Sequence, residues 1–425
     1  VMKFKLSKYI VPSVVSMVLV GTYTNIDGFF IGNVSGDDGL AAINIVWPIV
    51  AFITSLGMGI GVGGSVLMTA LRGDGREDDA EDMKKSVFLV LVLSGIAASA
   101  VLFALYRPIL KIMGAQGPVY QYACDYAAVI SATAAIQVVG SGLTAVLRND
   151  NKMYHSMVYT ILSLAVHIVL DIMLVKKLEL TGVALSTALS QLVTLVLCLF
   201  TLKIKKSAKA KMAYAGEILR ASSAPFGVNF VPSLVLLTTN YAALKSGGTA
   251  AVSAYAVMSY AVYTYDYIYQ GVCDGIQPVL SYCTGADDEE QKRRVMKTAV
   301  EILAAFSLCF ILITKPLANC LPQLFKVSDA AEKMMKSGLA IYALSYPFKA
   351  AVKLMCSYCY ATEKFVLSNL LTYIDPVVTT PLLLAVLPHY IGSDGVWAAM
   401  TASQIIVTAI GILIVVRKVH VSGSR

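Results

Sequence analysis

Twelve predominantly apolar stretches, most of about 20 residues or more, recur along this chain with only short charged or turn-rich breaks between them. As helices rising ~1.5 Å per residue, they match the ~30 Å hydrocarbon core of a bilayer. They lie near 8–32, 40–71, 86–106, 118–146, 153–175 and 180–202, then near 223–245, 249–284, 297–315, 336–361, 365–388 and 394–416. In lipid every backbone polar group needs a partner within the protein, so runs of this kind have to be helices. Composition agrees: 57% of residues are hydrophobic and only 14% charged, whereas soluble domains are about a quarter charged. An all-α polytopic membrane protein follows.

The net charge of +8 would suit a nucleic-acid binder, but the basic residues fall in short clusters between the apolar runs. About 23 Lys and Arg lie in the two termini and the loops after even-numbered spans, against about 9 in the alternate loops. Both termini are therefore expected in the cytoplasm and the spans in the plasma (inner) membrane, with lipid rather than nucleic acid as the partner. The first span follows Lys3, Lys5 and Lys8 and reads as retained, being too long for a signal-peptide core; Val421–Arg425 reads as a polar tail. The densest basic stretch, Lys203, Lys205, Lys206, Lys209, Lys211 and Arg220, reads as a solvated tether between two halves. Residues 1–202 then form an amino-terminal six-helix bundle, 203–222 a cytoplasmic basic linker and 223–425 a carboxy-terminal six-helix bundle.

Several familiar signals lead nowhere. Nearly all eight cysteines fall inside apolar runs, and Cys356 and Cys359 form a lone CxxC without a second pair, so packing explains them. Gly57, Gly59, Gly61, Gly63 and Gly64 contain a nominal GxGxxG inside a span, where small residues serve close helix packing. HExxH, Walker and GxSxG motifs are absent, so no enzyme chemistry and no cofactor are expected.

The halves repeat each other. Pro12 near the start of span 1 returns as Pro225 near the start of span 7, an offset of 213. Gly182-Val183 with Ser190-Gln191 returns as Gly395-Val396 with Ser403-Gln404 at the same offset, and Arg72-Gly73-Asp74 aligns with Thr284-Gly285-Ala286 at 212. Six spans per copy is an even number, so the copies share one orientation and are related by an axis along the membrane normal. Two such bundles, enclosing a cleft and rocking about it, are a general architecture of alternating access.

Spans 1 and 2 read Ile26-Asp27-Gly28-Phe29-Phe30-Ile31-Gly32, then Gly39-Leu40-Ala41-Ala42-Ile43 and Pro48. Span 8 ends Gly275-Ile276-Gln277-Pro278-Val279-Leu280-Ser281-Tyr282 before Gly285-Ala286. Together with the six-plus-six organisation, these stretches make the whole chain resemble the multidrug and toxic compound extrusion (MATE) family, in its bacterial branch. The resemblance implies two pseudo-symmetric six-helix bundles. It also implies a secondary active antiporter that exports amphipathic, often cationic organic compounds against H⁺ or Na⁺.

Ionisable groups in a span cost at least ~2.5–3.5 kcal/mol at its centre, so each needs a partner or a task. Counted from the cytoplasmic ends of spans 1 and 5, Asp27 and Asp171 stand at ~28 and ~27 Å. Thr187 and His167 fall at a similar level, His167 one turn from Asp171 on one helix face. Two carboxylates, a hydroxyl and an imidazole in one low-dielectric pocket suit either proton storage or the coordination of a hard cation by oxygen. By resemblance Asp27, Asp171 and Thr187 match the family's amino-lobe cation site, where Na⁺ is one candidate. His167 departs from it, since asparagine is usual there; an imidazole offers nitrogen and takes up protons itself, which tilts the expectation towards H⁺. Pro12, about 22 Å below Asp27 on the same helix, is a candidate gate, since bending of span 1 is linked in that family to closing the site.

In the second half Asp266, Lys349, Lys353 and Asp375 all fall at mid or inner depth, where opposite charges should pair, and Asp274 also lies in span 8. Asp266, Lys349, Lys353 and Asp375, with Tyr263 and Gln277, are the candidate substrate cavity: aromatic faces and carboxylates suit lipophilic cations. A monomer is expected. Two other readings compete. A lipid-linked oligosaccharide flippase of the related superfamily would favour a cationic cleft, and a membrane-embedded enzyme would need a convergent catalytic set.

Overall fold

A computed structural model describes residues 5–325 and 327–422, so part of the expected polar tail, 423–425, lies outside the described residues. The first half comprises α1 (Ser7–Val34), α2 (Gly36–Gly73), α3 (Glu77–Ile112), α4 (Gly117–Ala132), α5 (Ala134–Asn149) and α6 (Met153–Thr201). After a short 3-10 turn come α7 (Ala215–Gly285), α8 (Glu289–Phe325), α9 (Asp329–Ala343), α10 (Tyr346–Ala361), α11 (Phe365–Ile374), α12 (Thr380–Ile391) and α13 (Asp394–Ser422). A π-helical turn, Asp375–Thr379, joins α11 to α12.

Among the described residues eight helical stretches, α11 and α12 counted as one through the π-turn, are long and apolar enough to cross a membrane, and ten if the bent pairs α4–α5 and α9–α10 each count as one span. The 49 residues of α6 break at Glu179 and the 71 of α7 break at Gly248, so each of these is two spans and the total is twelve. The apolar surface points the way a bilayer requires. Only 22% of the apolar window of α8 is buried, and Leu308 and Leu312 stand 60% and 67% exposed.

The helices overrun the apolar runs that announced them. Expected at 86–106, span 3 is helical over Glu77–Ile112; span 9, expected at 297–315, runs over Glu289–Phe325. Acidic first turns, Glu77-Asp78-Asp79 and Glu289-Glu290, extend both helices into water, because negative charge complements the unpaired N–H groups of a helix start. Hydropathy marks the lipid-embedded part of a helix, whereas backbone hydrogen bonding continues past it.

The duplication is written into the backbone. Left-handed positions recur in register: Gly36 with Gly248, Gly75 with Asp287 and Asn151 with Glu363 at 212, and Glu179 with Gly392 at 213. The bend of 58° at Thr133 returns as one of 50° at Leu344–Ser345. At the hairpin of α6, a Cβ on Gly182 would lie 2.8 Å from the Leu174 carbonyl carbon; on Gly395 it would lie 2.5 Å from that of Leu387, again 213 residues on. The first copy holds this hairpin with Glu179 at φ 47°, a conformation a side chain resists, where the second has glycine.

By internal contacts the chain forms two compact units. Unit one is Val1–Phe230 with Asp274–Lys292 and Tyr360–Glu363; unit two is Val231–Cys273, Arg293–Cys359 and Lys364–Arg425. In unit one the glycines of α2 let helices meet backbone to backbone: a Cβ on Gly61 would sit 2.3 Å from the Gly142 carbonyl oxygen. Within residues 203–222, read as a solvated tether, Lys205–Lys211 are instead docked on the start of α3 and 215–222 begin α7. Lys205 N donates to Glu81 at 3.3 Å, Lys209 N to Asp82 at 2.6 Å and Lys85 Nζ to the Ala208 carbonyl at 2.8 Å, and Lys211 pairs with Asp82 at 2.8 Å. Acids that favour the start of α3 also attract the basic strand.

Candidate functional site

In unit one the break at Glu179 folds α6 back on itself, so that Ser163 donates to the Ser190 carbonyl at 2.8 Å across the hairpin. His167 and Asp171 share one face of the first arm at i and i+4, and α1 packs against them. His167 Nε2 lies 2.7 Å from Asp27 Oδ1 and 3.2 Å from Asp171 Oδ2, and all three residues are buried. The Tyr23 ring, one turn before Asp27, stands 5.0 Å from the imidazole.

One nitrogen thus faces two carboxylates. Nε2 carries at most one hydrogen, so it cannot serve both acids fully. Were both acids ionised and Nε2 bare, three sets of lone pairs would converge without a positive charge among them. Such a buried arrangement has to hold at least one proton. Neither Asp171 oxygen and not His167 Nδ1 finds a well-formed hydrogen bond among the described residues. Ser186, on the returning arm, donates to the Gly182 carbonyl at 3.0 Å and also stands beside His167 and Asp171.

Thr187 lies on that same returning arm, donating to the Val183 carbonyl at 3.1 Å and meeting the Tyr126 hydroxyl of α4. Tyr126 is buried and enters this pocket unannounced by any charge or motif. One ligand atom from each of Asp27, His167 and Asp171 lies within 4.8 Å of the others, a grouping that offers a cation two carboxylate oxygens and one imidazole nitrogen. Pro12 is buried within an unbroken α1, fifteen residues before Asp27.

One expected cavity residue, Gln277, finds other surroundings. Gln277 is buried in unit one, where it exchanges hydrogen bonds with the Asn149 amide, both at 3.0 Å, and donates to Ser281 at 2.9 Å. One turn earlier, Asp274 pairs with Arg148 at 3.0 Å, both side chains at most 6% exposed. Nearby Asp150 accepts from Arg72 and Lys152, each at 2.7 Å, with Lys84 at 3.2 Å. Burial pushes the Asp150 carboxyl up, but Lys152, Lys84 and Arg72 outweigh it and hold the group below the usual carboxylate range. Neither Arg148 nor Asn149 carries a motif that would mark it in the sequence.

In unit two Asp266 sits between Lys349 at 3.1 Å and Lys353 at 3.0 Å, the expected kind of pairing. Tyr263 donates to the Pro232 carbonyl at 3.4 Å. Asp375, expected to pair with a lysine, does not: its carboxylate accepts from Ser403, from Thr380 at 2.7 Å and from Gln404 at 2.8 Å. The π-turn that begins at Asp375 brings Thr379 and Thr380 round to this side. Ser403 and Gln404 had served the sequence argument only as repeat markers. In the first copy the positions 212 and 213 residues earlier are Ser163 and Ser190, where the Ser163 hydroxyl donates to the Ser190 carbonyl, so the second copy has an accepting acid where the first has a donating hydroxyl.

The MatE family model matches residues 12–173 and 226–383. The multidrug export protein MepA of Staphylococcus aureus is 23% identical over 411 residues, covering 93% of this chain and 89% of that protein. MepA of Staphylococcus saprophyticus is 24% identical over 320 residues, 71% of this chain and 69% of that protein. Among solved structures, an outward-facing multidrug resistance MATE family transporter of the MOP superfamily aligns with a TM-score of 0.92 at 19% identity, over 99% of this chain and 96% of its own. The Vibrio cholerae MATE transporter VcmN aligns with a TM-score of 0.89 at 18% identity, over 96% and 94%. At these identities the structures speak for the fold: twelve helices built as in those transporters.

Proposed function

The chain belongs to the MatE family of membrane transporters, and from that premise we propose that it is a secondary active efflux antiporter, exporting amphipathic cationic organic compounds in exchange for inward-moving H⁺. The similarity to the MepA multidrug export proteins supports drug export. The observation that carries H⁺ over Na⁺ is His167 Nε2 standing between Asp27 and Asp171 at 2.7 and 3.2 Å. An imidazole there can itself take up and release a proton between the two carboxylates, which supports H⁺ as the coupling ion.

In this reading the triad takes up protons from outside and releases them inside as the two bundles, residues 1–202 and 223–425, alternate their access. Thr187 and Tyr126 hold the returning arm of α6 against the pocket, and bending of α1 near Pro12 opens and closes the triad to solvent. Asp266, Lys349, Lys353, Asp375 and Tyr263 line the drug-binding part of unit two, and Gln277 sits in the hydrogen-bonded cluster beside Asn149. The protein works as a monomer in the plasma membrane with both termini in the cytoplasm.

Dye efflux from proteoliposomes under an imposed pH or Na⁺ gradient tests this directly. The intact protein should expel a lipophilic cation such as ethidium when the pH gradient is applied, and Asp27→Asn should lose that response by tenfold or more. Efflux that ignores the pH gradient, or that Asp27→Asn leaves intact, would overturn the proposal.

A further inference from the structure

The inner end of α7 is held by helices of the first repeat. Val231–Cys273 belong to unit two, but Asp274–Lys292 belong to unit one. On the side where α1 begins, cytoplasmic in the reading given above, a Cβ on Gly275 would lie 2.7 Å from the Ile10 Cα of α1. A Cβ on Gly73 of α2 would run into the Tyr282 carbonyl, and a Cβ on Gly285 into the Ala70 carbonyl. Tyr282 and Gly285 stand 212 residues after Ala70 and Gly73, so this backbone contact is the same viewed from either repeat. Beside it opens a cavity of 440 Å³ whose wall includes Ala70, Gly285 and the exposed acids Asp74, Glu217 and Glu363, which brings solvent to the edge of the seam.

Glycine packing alone would make the seam alike for both repeats, and it is not. Asn149 and Gln277, 3% and 2% exposed, exchange amide hydrogen bonds, both at 3.0 Å. Asn149 also donates to the Ala145 carbonyl at 3.1 Å and accepts from Thr69 at 3.3 Å, and Gln277 donates to Ser281 at 2.9 Å. Their counterparts 212 residues away are Ala361 and Ser65. Alanine has no amide to offer, and the Ser65 hydroxyl finds no well-formed hydrogen bond among the described residues. The amide pair is therefore an addition to a contact that small residues already close. It ties α5 to α7 without charge, and water can serve both amides equally well once the seam parts.

We propose that Asn149 and Gln277 are positioning residues for transport: a neutral lock that holds the inner ends of α2, α5 and α7 together in the inward-closed state and yields to water when the cytoplasmic side opens. The inference rests on the alternating-access reading given above and names a contact that the alternation has to break. With one amide removed, the closed seam strands the other, whereas the open seam gives it water, so Asn149→Leu or Gln277→Met favours opening. With both removed, the closed seam buries only apolar groups and the open seam exposes them, so the Asn149→Leu/Gln277→Met double variant favours closure. Loss of packing alone would instead grow from single to double variant.

Hydrogen exchange of the full-length protein in lipid nanodiscs, followed by mass spectrometry, reads the seam through the amides of residues 70–76 and 282–288. Each single variant should exchange there about tenfold faster than the unaltered protein and the double variant about threefold slower, with the amides of 90–102 in α3 unchanged. Equal seam exchange in all the proteins, a rise that spreads equally into α3, or faster exchange in the double variant than in the singles would overturn the lock. Should a single variant fail to fold, the double variant against the unaltered protein still decides. Dye efflux under a pH gradient is read separately. Exchange as expected without efflux sinks antiport alone, and efflux with equal exchange sinks the lock alone.

Discussion

Replacing His167 by asparagine should change which ion drives transport. The imidazole puts a single nitrogen between two buried carboxylates at 2.7 and 3.2 Å, and ligand oxygens of the two acids approach within 4.8 Å of each other. Two unit charges at that separation repel by roughly 3.5 kcal/mol at an effective dielectric constant of about 20. That is a bias of roughly 300-fold against having both acids bare. In the intact protein the protonated imidazole or a shared proton cancels the repulsion from within. An asparagine amide carries no charge and offers a carbonyl oxygen instead, so the repulsion would be relieved from outside and the site would gain a hard ligand suited to Na⁺. His167→Asn proteoliposomes should therefore expel ethidium under a Na⁺ gradient with pH clamped, and should bind ²²Na⁺, where the intact protein does neither. A variant driven by the pH gradient alone, still indifferent to Na⁺, would show that the imidazole does not decide the coupling ion.

Breaking the Arg148–Asp274 pair should be felt in stability before transport. Asp274→Ala leaves a guanidinium buried and is expected to cost about 3–5 kcal/mol, whereas Arg148→Met with Asp274→Leu should cost much less; a double-mutant cycle on thermal unfolding in detergent reads the difference, and additive effects would deny that the two groups act as a pair. Acid should weaken the fold at Asp150. Because its carboxyl is held below the ordinary range when folded, its contribution is fully present above the unfolded value of about 3.9 and is lost as pH falls through the lowered folded value. Melting temperatures followed from pH 7 down to pH 3 should fall less steeply for Asp150→Asn than for the intact protein, and identical slopes would remove Asp150 from the acid response.

Apolar length and charge between the runs were enough to read twelve helices, their duplication and the common depth of Asp27, His167 and Asp171, because each depends on distance along a helix, which is ~1.5 Å per residue wherever the helix sits. Rotation about the helix axis and the packing of neighbours are not carried by that ruler. His167 could be assigned a level but not a place between two acids, which the hairpin at Glu179 and the packing of α1 supply. Asp375 was legible as an ionisable group needing a partner. That the partners are Ser403, Thr380 and Gln404 rather than a lysine follows from the π-turn at Asp375 and the approach of α13, nearly thirty residues further on.

The linker shows the same division. Its charge was plain, but its attachment depends on acids at the start of α3 more than 120 residues earlier. On its own, then, the sequence determined the apolar spans, their number and their duplication, since hydropathy and helical rise are local quantities. Which charges meet was decided by the tertiary structure, because a side chain's direction and its partner are fixed only when helices distant in the chain pack against one another.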